Sequence, residues 1–196
     1  SNLTSSACGD ISNLTWLSKE EEDKLMNVFV TGGTGYMPSA LISRLTSEKE
    51  VSKVIALARD PQKARDLAAR VKSHEKLEFA YGDVRLHDFD FGNTHVIFHA
   101  AAVHDMVWVD ENSAEAVEIN IGGTHRVVEA ARRFRVPYFI FVSSHSVYDE
   151  EAGILAREEN PSPKMPKALT KYAGEVIVRS LANSSTRFIV LRPSHI

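Results

Sequence analysis

Residues 27–45 read NVFVTGGTGYMPSALISRL, and this stretch decides the fold. It opens with a short, largely β-branched apolar run, Asn27 to Thr31, passes through a glycine cluster, and continues with apolar residues at helical spacing. A strand that turns through glycines into a helix aims the helix's first amides and its positive dipole end at one spot. That spot suits a phosphate. Gly32 and Gly35 are the residues that permit the tight backbone such a turn needs.

Working outward, the same alternation recurs. The runs 52–58 (SKVIALA), 76–81 (KLEFAY), 94–100 (THVIFHA), 136–144 (VPYFIFVSS) and 186–193 (TRFIVLRP) read as strands. Helical periodicities fall at 38–47, 61–73, 113–134 and 168–182. Nearly continuous apolar strands separated by helices predict a parallel sheet covered on both faces. The right-handed crossover rule then favours an α/β, doubly wound sheet in three αβα layers. Residues 1–26 read as an N-terminal extension, polar at first and then carrying Ser18 and Glu21 at capping-box spacing. Residues 27–196 form the domain.

Composition excludes several classes. With 196 residues, 43% hydrophobic and 25% charged, the chain can bury the core of one globular domain. A net charge of −3 with mixed signs gives no footprint for nucleic acid. No apolar run approaches the roughly 20 residues of a bilayer-spanning helix. One cysteine, Cys8, excludes an internal disulfide and a cysteine-rich zinc site, and the eight histidines show no metal-ligand spacing. The expectation is a soluble, cytoplasmic protein with a small-molecule substrate and no metal, nucleic-acid or membrane partner.

The order of the smaller motifs resembles the extended short-chain dehydrogenase/reductase superfamily, the NAD-dependent epimerase/dehydratase type with a Rossmann fold. Thr31, Gly32 and Gly35 match its T-G-x-x-G-x-x-G fingerprint, and Pro38 replaces the last glycine. Proline is tolerated in a first helical turn, but its ring is bulkier where helix and strand pack closely. The resemblance implies a nicotinamide dinucleotide held by Gly32, Thr34, Gly35, Tyr36 and Met37, with Asp83 and Val84 of YGDV bordering its adenine. Ala100, Ala101 and Ala102 of VIFHAAA would line the cofactor, and His99 of the same motif reads as a packed structural histidine. After the second strand comes LARDPQKA, where Arg59 replaces the acidic residue that would hold a ribose hydroxyl; a guanidinium there favours NADP over NAD.

EINIGGTHRVVEAAR resembles the family's N-x-x-G-T helix, with Asn120 as its asparagine, and FIFVSSHSVYD resembles the strand carrying the active-site serine, which aligns with Ser144. The family's Tyr-x-x-x-Lys pair falls on KALTK, which supplies Lys171 and has Lys167 where the tyrosine belongs. In the family the lysine holds the nicotinamide ribose and lowers the phenol's pKa, so that tyrosine can move a proton while hydride moves. Lys167 is then either an unusual acid or a helix-start lysine without a catalytic role. The expected reading is an atypical NADP-dependent oxidoreductase, or an epimerase/dehydratase-like enzyme acting on a small hydroxyl or carbonyl compound or a nucleotide sugar. Its alternatives are a catalytically degenerate dinucleotide-binding protein and a ligand-free structural subunit. Family members place substrate-binding residues after the sixth strand, a region expected to be missing here, and often dimerise through the helices around 113–134 and 167–182.

Overall fold

A computed structural model of the chain describes residues 25–148, 161–181 and 185–194. The Ser18–Glu21 capping box lies outside them. Six strands form one parallel sheet: β1 Met26–Thr31, β2 Val51–Ala58, β3 Leu77–Tyr81, β4 Val96–His99, β5 Tyr138–Val142 and β6 Arg187–Leu191. Their spatial order is β3-β2-β1-β4-β5-β6, every pair parallel, so the chain reverses its direction of travel across the sheet between β1 and β4. This is the doubly wound arrangement, whose reversal point opens a crevice at the carboxyl edge of the strands.

The side-chain period of two explains the layers. Along β1, Val28 and Val30 point to one face and pack with Ile42 of α1 (Tyr36–Leu45) and Leu67 of α2 (Pro61–Arg70). Phe29 points to the other face, into a cluster with Ile97, Phe139, and Val127 and Val128 of α5 (Thr124–Arg133). Val178 of α6 (Pro166–Ser180) completes that side. Because both faces are covered, the strands are apolar almost throughout, which is why they were legible as runs.

The structure alters some boundaries. The helix expected over 113–134 is interrupted: α4 (Ser113–Val117) passes through a π-helical turn, Glu118–Gly123, before α5 begins. A further short helix, α3 (Met106–Glu111), precedes it, capped by Asp105, whose carboxylate accepts from the Trp108 amide at 2.8 Å. Its single turn and a half is too short to show a period in sequence. The run 136–144 supplies only five strand residues, because the Val136 amide donates to Ala131 and finishes α5.

Phe91 lies in the link between β3 and β4, outside any element, yet is 1% exposed and meets Phe29 edge-on at 5.0 Å, Phe89 at 5.3 Å and Phe134 at 6.3 Å. Phe91→Ala is expected to lower the unfolding free energy by about 3–5 kcal/mol in urea denaturation, as for other large-to-small aromatic core changes.

Candidate functional site

The carboxyl ends of the strands enclose a cleft of about 710 Å³. The cofactor-binding and catalytic candidates from sequence lie in its wall: Gly32, Thr34, Gly35, Tyr36 and Met37 in the middle, with Ala100, Ala101 and Ala102 opposite; Arg59, Asp83 and Val84 at one end; Ser144, Lys167 and Lys171 at the other.

The middle is set by a close backbone approach. Gly32 has φ of +69°, and a Cβ on it would stand 2.8 Å from the Ala101 Cα. Only glycine fits. Thr31 and His99 hold that approach in place through a chain of hydrogen bonds whose directions can be assigned. Thr124 Oγ1 donates to the Asn120 carbonyl at 2.6 Å, so it accepts from His99 Nε2 at 2.9 Å. Burial, aided by the Lys171 charge, pushes the His99 pKa down to about 3, so the ring is neutral and its Nδ1 carries a lone pair. Nδ1 therefore accepts from Thr31 Oγ1 at 2.7 Å. That leaves the Thr31 oxygen to accept from the amides of Ala100 and Ala101, each at 3.1 Å. His99 is structural: it ties β1, β4 and α5 together beneath the cleft.

Pro38 is buried in the first turn of α1, and the helix runs on regularly to Leu45. Its missing N–H falls among the amides that have no intrahelical partner. The close helix–strand packing rests on Gly33, where a Cβ would meet the Ala56 Cβ at 2.7 Å.

At the Arg59 end, Asp60 caps α2, its Oδ1 accepting from the amides of Gln62 at 2.8 Å and Lys63 at 3.2 Å, and it does not line the cleft. Arg59 and Lys63 both line the cleft there. Asp83 is gripped by Arg85, with Nε at 3.0 Å and a terminal nitrogen at 2.9 Å, and this pairing pulls its pKa below the usual carboxylate range. Arg85 is anchored in turn by Glu115 at 3.0 Å.

At the far end, Ser143 and Ser144 divide their roles. Ser143 donates to Glu175, a fully buried carboxylate that also takes a bidentate grip from Arg192 at 2.9 and 2.6 Å. Arg192 also donates to the Tyr148 hydroxyl at 2.6 Å. Ser144 Oγ accepts from the Ser146 amide at 3.2 Å and hydroxyl at 3.0 Å, and its own proton is left for a ligand oxygen. Lys171 gives one proton to the Val142 carbonyl at 2.8 Å and passes over the Phe141 ring at 5.5 Å. Burial, with Lys167 one turn away, pushes its pKa down to about 8, so at neutral pH it is a cation with two further protons to donate. Lys167 is half-buried in the cleft wall rather than fully solvated. Asn120, in the π-helical turn, accepts from the Val103 amide at 2.8 Å and donates to Thr170 Oγ1 at 3.0 Å, joining the loop after β4 to α6. π-Helical turns of this kind recur at functional sites.

Lys63, His104, His145, Pro193 and Ser194 also line the cleft and were not singled out from sequence. His145 directly follows the aligned serine in SSHS, and that adjacency was the available signal. Among the described residues no group of three or more metal-ligating side chains occurs, and no helix is long and apolar enough to cross a membrane.

Residues 28–196 match the model of the NAD-dependent epimerase/dehydratase family. The chain belongs to this family. It is 28% identical over 163 residues to UDP-glucose 4-epimerase of Rickettsia typhi, covering 77% of this chain and 46% of that protein. It is 30% identical over 186 residues to a ketoreductase of Stigmatella aurantiaca that acts on a 4-hydroxy-2-methyl-3-oxo-4-farnesyl-3,4-dihydroquinoline-1-oxide, covering 87% and 50%. Among solved structures, UDP-glucuronic acid 4-epimerase from Bacillus cereus in complex with UDP-glucuronic acid and NAD superimposes with a TM-score of 0.74 at 25% identity, covering 85% of this chain and 56% of that one. The chain thus spans about half the length of the curated relatives it matches.

The buried neutral imidazole makes stability depend on pH. His99 titrates near 6.5 when unfolded and near 3 when folded, so the unfolded chain binds the proton first as pH falls. Its contribution is complete above pH 6.5 and is lost progressively between about 6.5 and 3. Urea midpoints are expected to drop from pH 7 to pH 4.5 in the parent, and to drop less in His99→Gln.

Proposed function

We propose that the chain forms the dinucleotide-binding part of an NADP-dependent enzyme of the epimerase/dehydratase type, acting at a hydroxyl- or carbonyl-bearing carbon. The observation that carries this reading is the pairing, in one cleft, of a Gly32 turn that admits a phosphate backbone with a Ser144 proton and a buried Lys171 ammonium at the far end. A dinucleotide fits these residues: the first amides of α1 face the pyrophosphate position, Val84 and Leu57 offer apolar surface to a base, and Lys171 has protons for ribose hydroxyls. When bound, the nicotinamide ring supplies the hydride acceptor or donor. Ser144 donates to the substrate oxygen and orients it, while Lys171 holds position and charge beside it. A nucleotide sugar is one substrate class, in line with the epimerase relatives; a simple ketone or alcohol is the other, in line with the ketoreductase.

Preference for the phosphorylated cofactor is supported by the corner at the end of β2. The acidic residue there is used as a helix cap, and two cations, Arg59 and Lys63, border the cleft. A ribose 2′-phosphate would meet those two cations, whereas for a 2′-hydroxyl the carboxylate at that end, Asp83, is already gripped by Arg85. A second reading, a binding protein without turnover, is favoured by Lys167 standing one turn before Lys171 where a phenol is expected. Leu169 and Val176, exposed two turns apart on α6, support pairing of two copies through that helix.

Calorimetric titration with NADPH and NADH tests the cofactor. Tighter NADPH binding is expected, and Arg59→Ala should weaken NADPH by about tenfold, the value of one charge-assisted hydrogen bond, with little effect on NADH. Equal affinity for both in the parent would remove the assignment to NADP, and binding of neither would remove the dinucleotide reading.

A further inference from the structure

The charges around the cleft are lopsided. Among the described residues that line it, Arg59, Lys63, Lys167 and Lys171 are cations, and the carboxylate is Asp83, which sits at the Arg59 end and is already gripped by Arg85. Arg59 and Lys63 serve the cofactor phosphate in the reading above. Lys167 and Lys171 are left at the reacting end, and none of the described residues lining that end is acidic.

These two lysines stand one turn apart on α6, and both line the cleft. Lys171 is buried and donates to the carbonyl of Val142, itself part of the cleft wall. The Lys167 charge reaches it there: burial first, and then the Lys167 ammonium, bring the Lys171 pKa down to about 8. Glu175 offsets this only in part, because its oxygens are taken by Ser143 and Arg192. Among the described residues the half-buried Lys167 ammonium has no hydrogen-bond or ion-pair partner. Helix stability does not explain this lysine. It lies in the first turn of α6, where the helix dipole favours an anion, and no acidic residue of that turn compensates it. An anion arriving beside Lys167 would gain attraction and relieve the repulsion between the two ammonium groups.

Resting on the dinucleotide-dependent reading above, we propose that Lys167 selects a substrate carrying a carboxylate within two bonds of the reacting carbon. Ser144 takes the reacting oxygen, and the acid group lies against Lys167 at the same end of the cleft. Lys167 moves no proton in this role. Two kinds of molecule offer the chemistry: a free oxo acid or hydroxy acid, and a sugar acid carried on a nucleotide. A charge-assisted hydrogen bond in a partly buried wall is worth roughly tenfold or more in affinity.

The test compares acids with neutral partners of the same shape, on the full chain loaded with a dinucleotide that cannot react with them. Acetoacetate and methyl acetoacetate are titrated into the chain saturated with NADP, both sides being oxidised; UDP-glucuronic acid and UDP-glucose are titrated into the chain saturated with NADPH, both sides being reduced. In at least one pair the acid is expected to bind about tenfold more tightly than its neutral partner. That ratio should fall below about threefold in Lys167→Met and be kept in Lys167→Arg. A preference confined to the first pair supports the proposal with a free oxo acid as the ligand, and one confined to the second supports it with a nucleotide-linked sugar acid. The proposal is overturned by equal binding of acid and neutral partner in both pairs, by a preference that survives Lys167→Met, or by a dinucleotide-loaded chain that binds none of the four. Failure of NADP and NADPH themselves to bind is read in the loading step and overturns the dinucleotide reading along with this one.

Discussion

The hydroxyl of Thr31 accepts two amide protons from the start of the loop after β4 and donates its own to a neutral His99, and the site is built around that node. Once its polarity is set, Gly32 is pressed against the backbone of Ala101 and the turn into α1 has one shape. The node is dry: Thr31 and His99 are fully buried. A charged imidazole would reverse Nδ1 from acceptor to donor and leave three donors, Nδ1 and the amides of Ala100 and Ala101, facing the Thr31 oxygen with its own proton misplaced, so neutrality of His99 and closeness of β1 to β4 are one condition. Loss of any single partner would leave a buried polar group unpaired, the costly outcome for such networks.

A second buried network stabilises the opposite end. Glu175 is a carboxylate without exposure, and it is tolerable there because Ser143 and the bidentate Arg192 satisfy its oxygens. It fixes α6 against the ends of β5 and β6. Lys171, one turn earlier on α6, is thereby presented at the cleft with its charge destabilised by burial and only partly offset by Glu175. Asn120 bridges the loop after β4 to Thr170, so the glycine-turn side of the cleft is tied to the helix that carries Lys171 and Glu175.

Much of this was legible in sequence because both faces of a parallel sheet are buried. Continuous apolar runs such as YFIFV and VIFH then mark strands without ambiguity of face, and Gly32 and Gly35 mark the sharp turn into α1. The π-helical turn was not legible, since an extra residue in one helical turn leaves the apolar spacing of 113–134 nearly intact. Asp60 was equally opaque. Its neighbour Arg59 could be read as facing a ligand, but the use of Asp60 as the cap of α2 depends on a backbone angle, not on composition.

By itself the sequence determined the sheet, its parallel pairing, the glycine turn, and the residue types available at the carboxyl edge, because periodicity and glycine placement are local properties of the chain. Only the tertiary structure decided which of two adjacent serines is bound to the buried Glu175, which tautomer His99 holds, and that Ser144 and Lys171 lie in the same wall. Those outcomes depend on partners tens of residues away, Glu175 and Thr124, whose donors and acceptors meet only after the sheet has closed around the cleft.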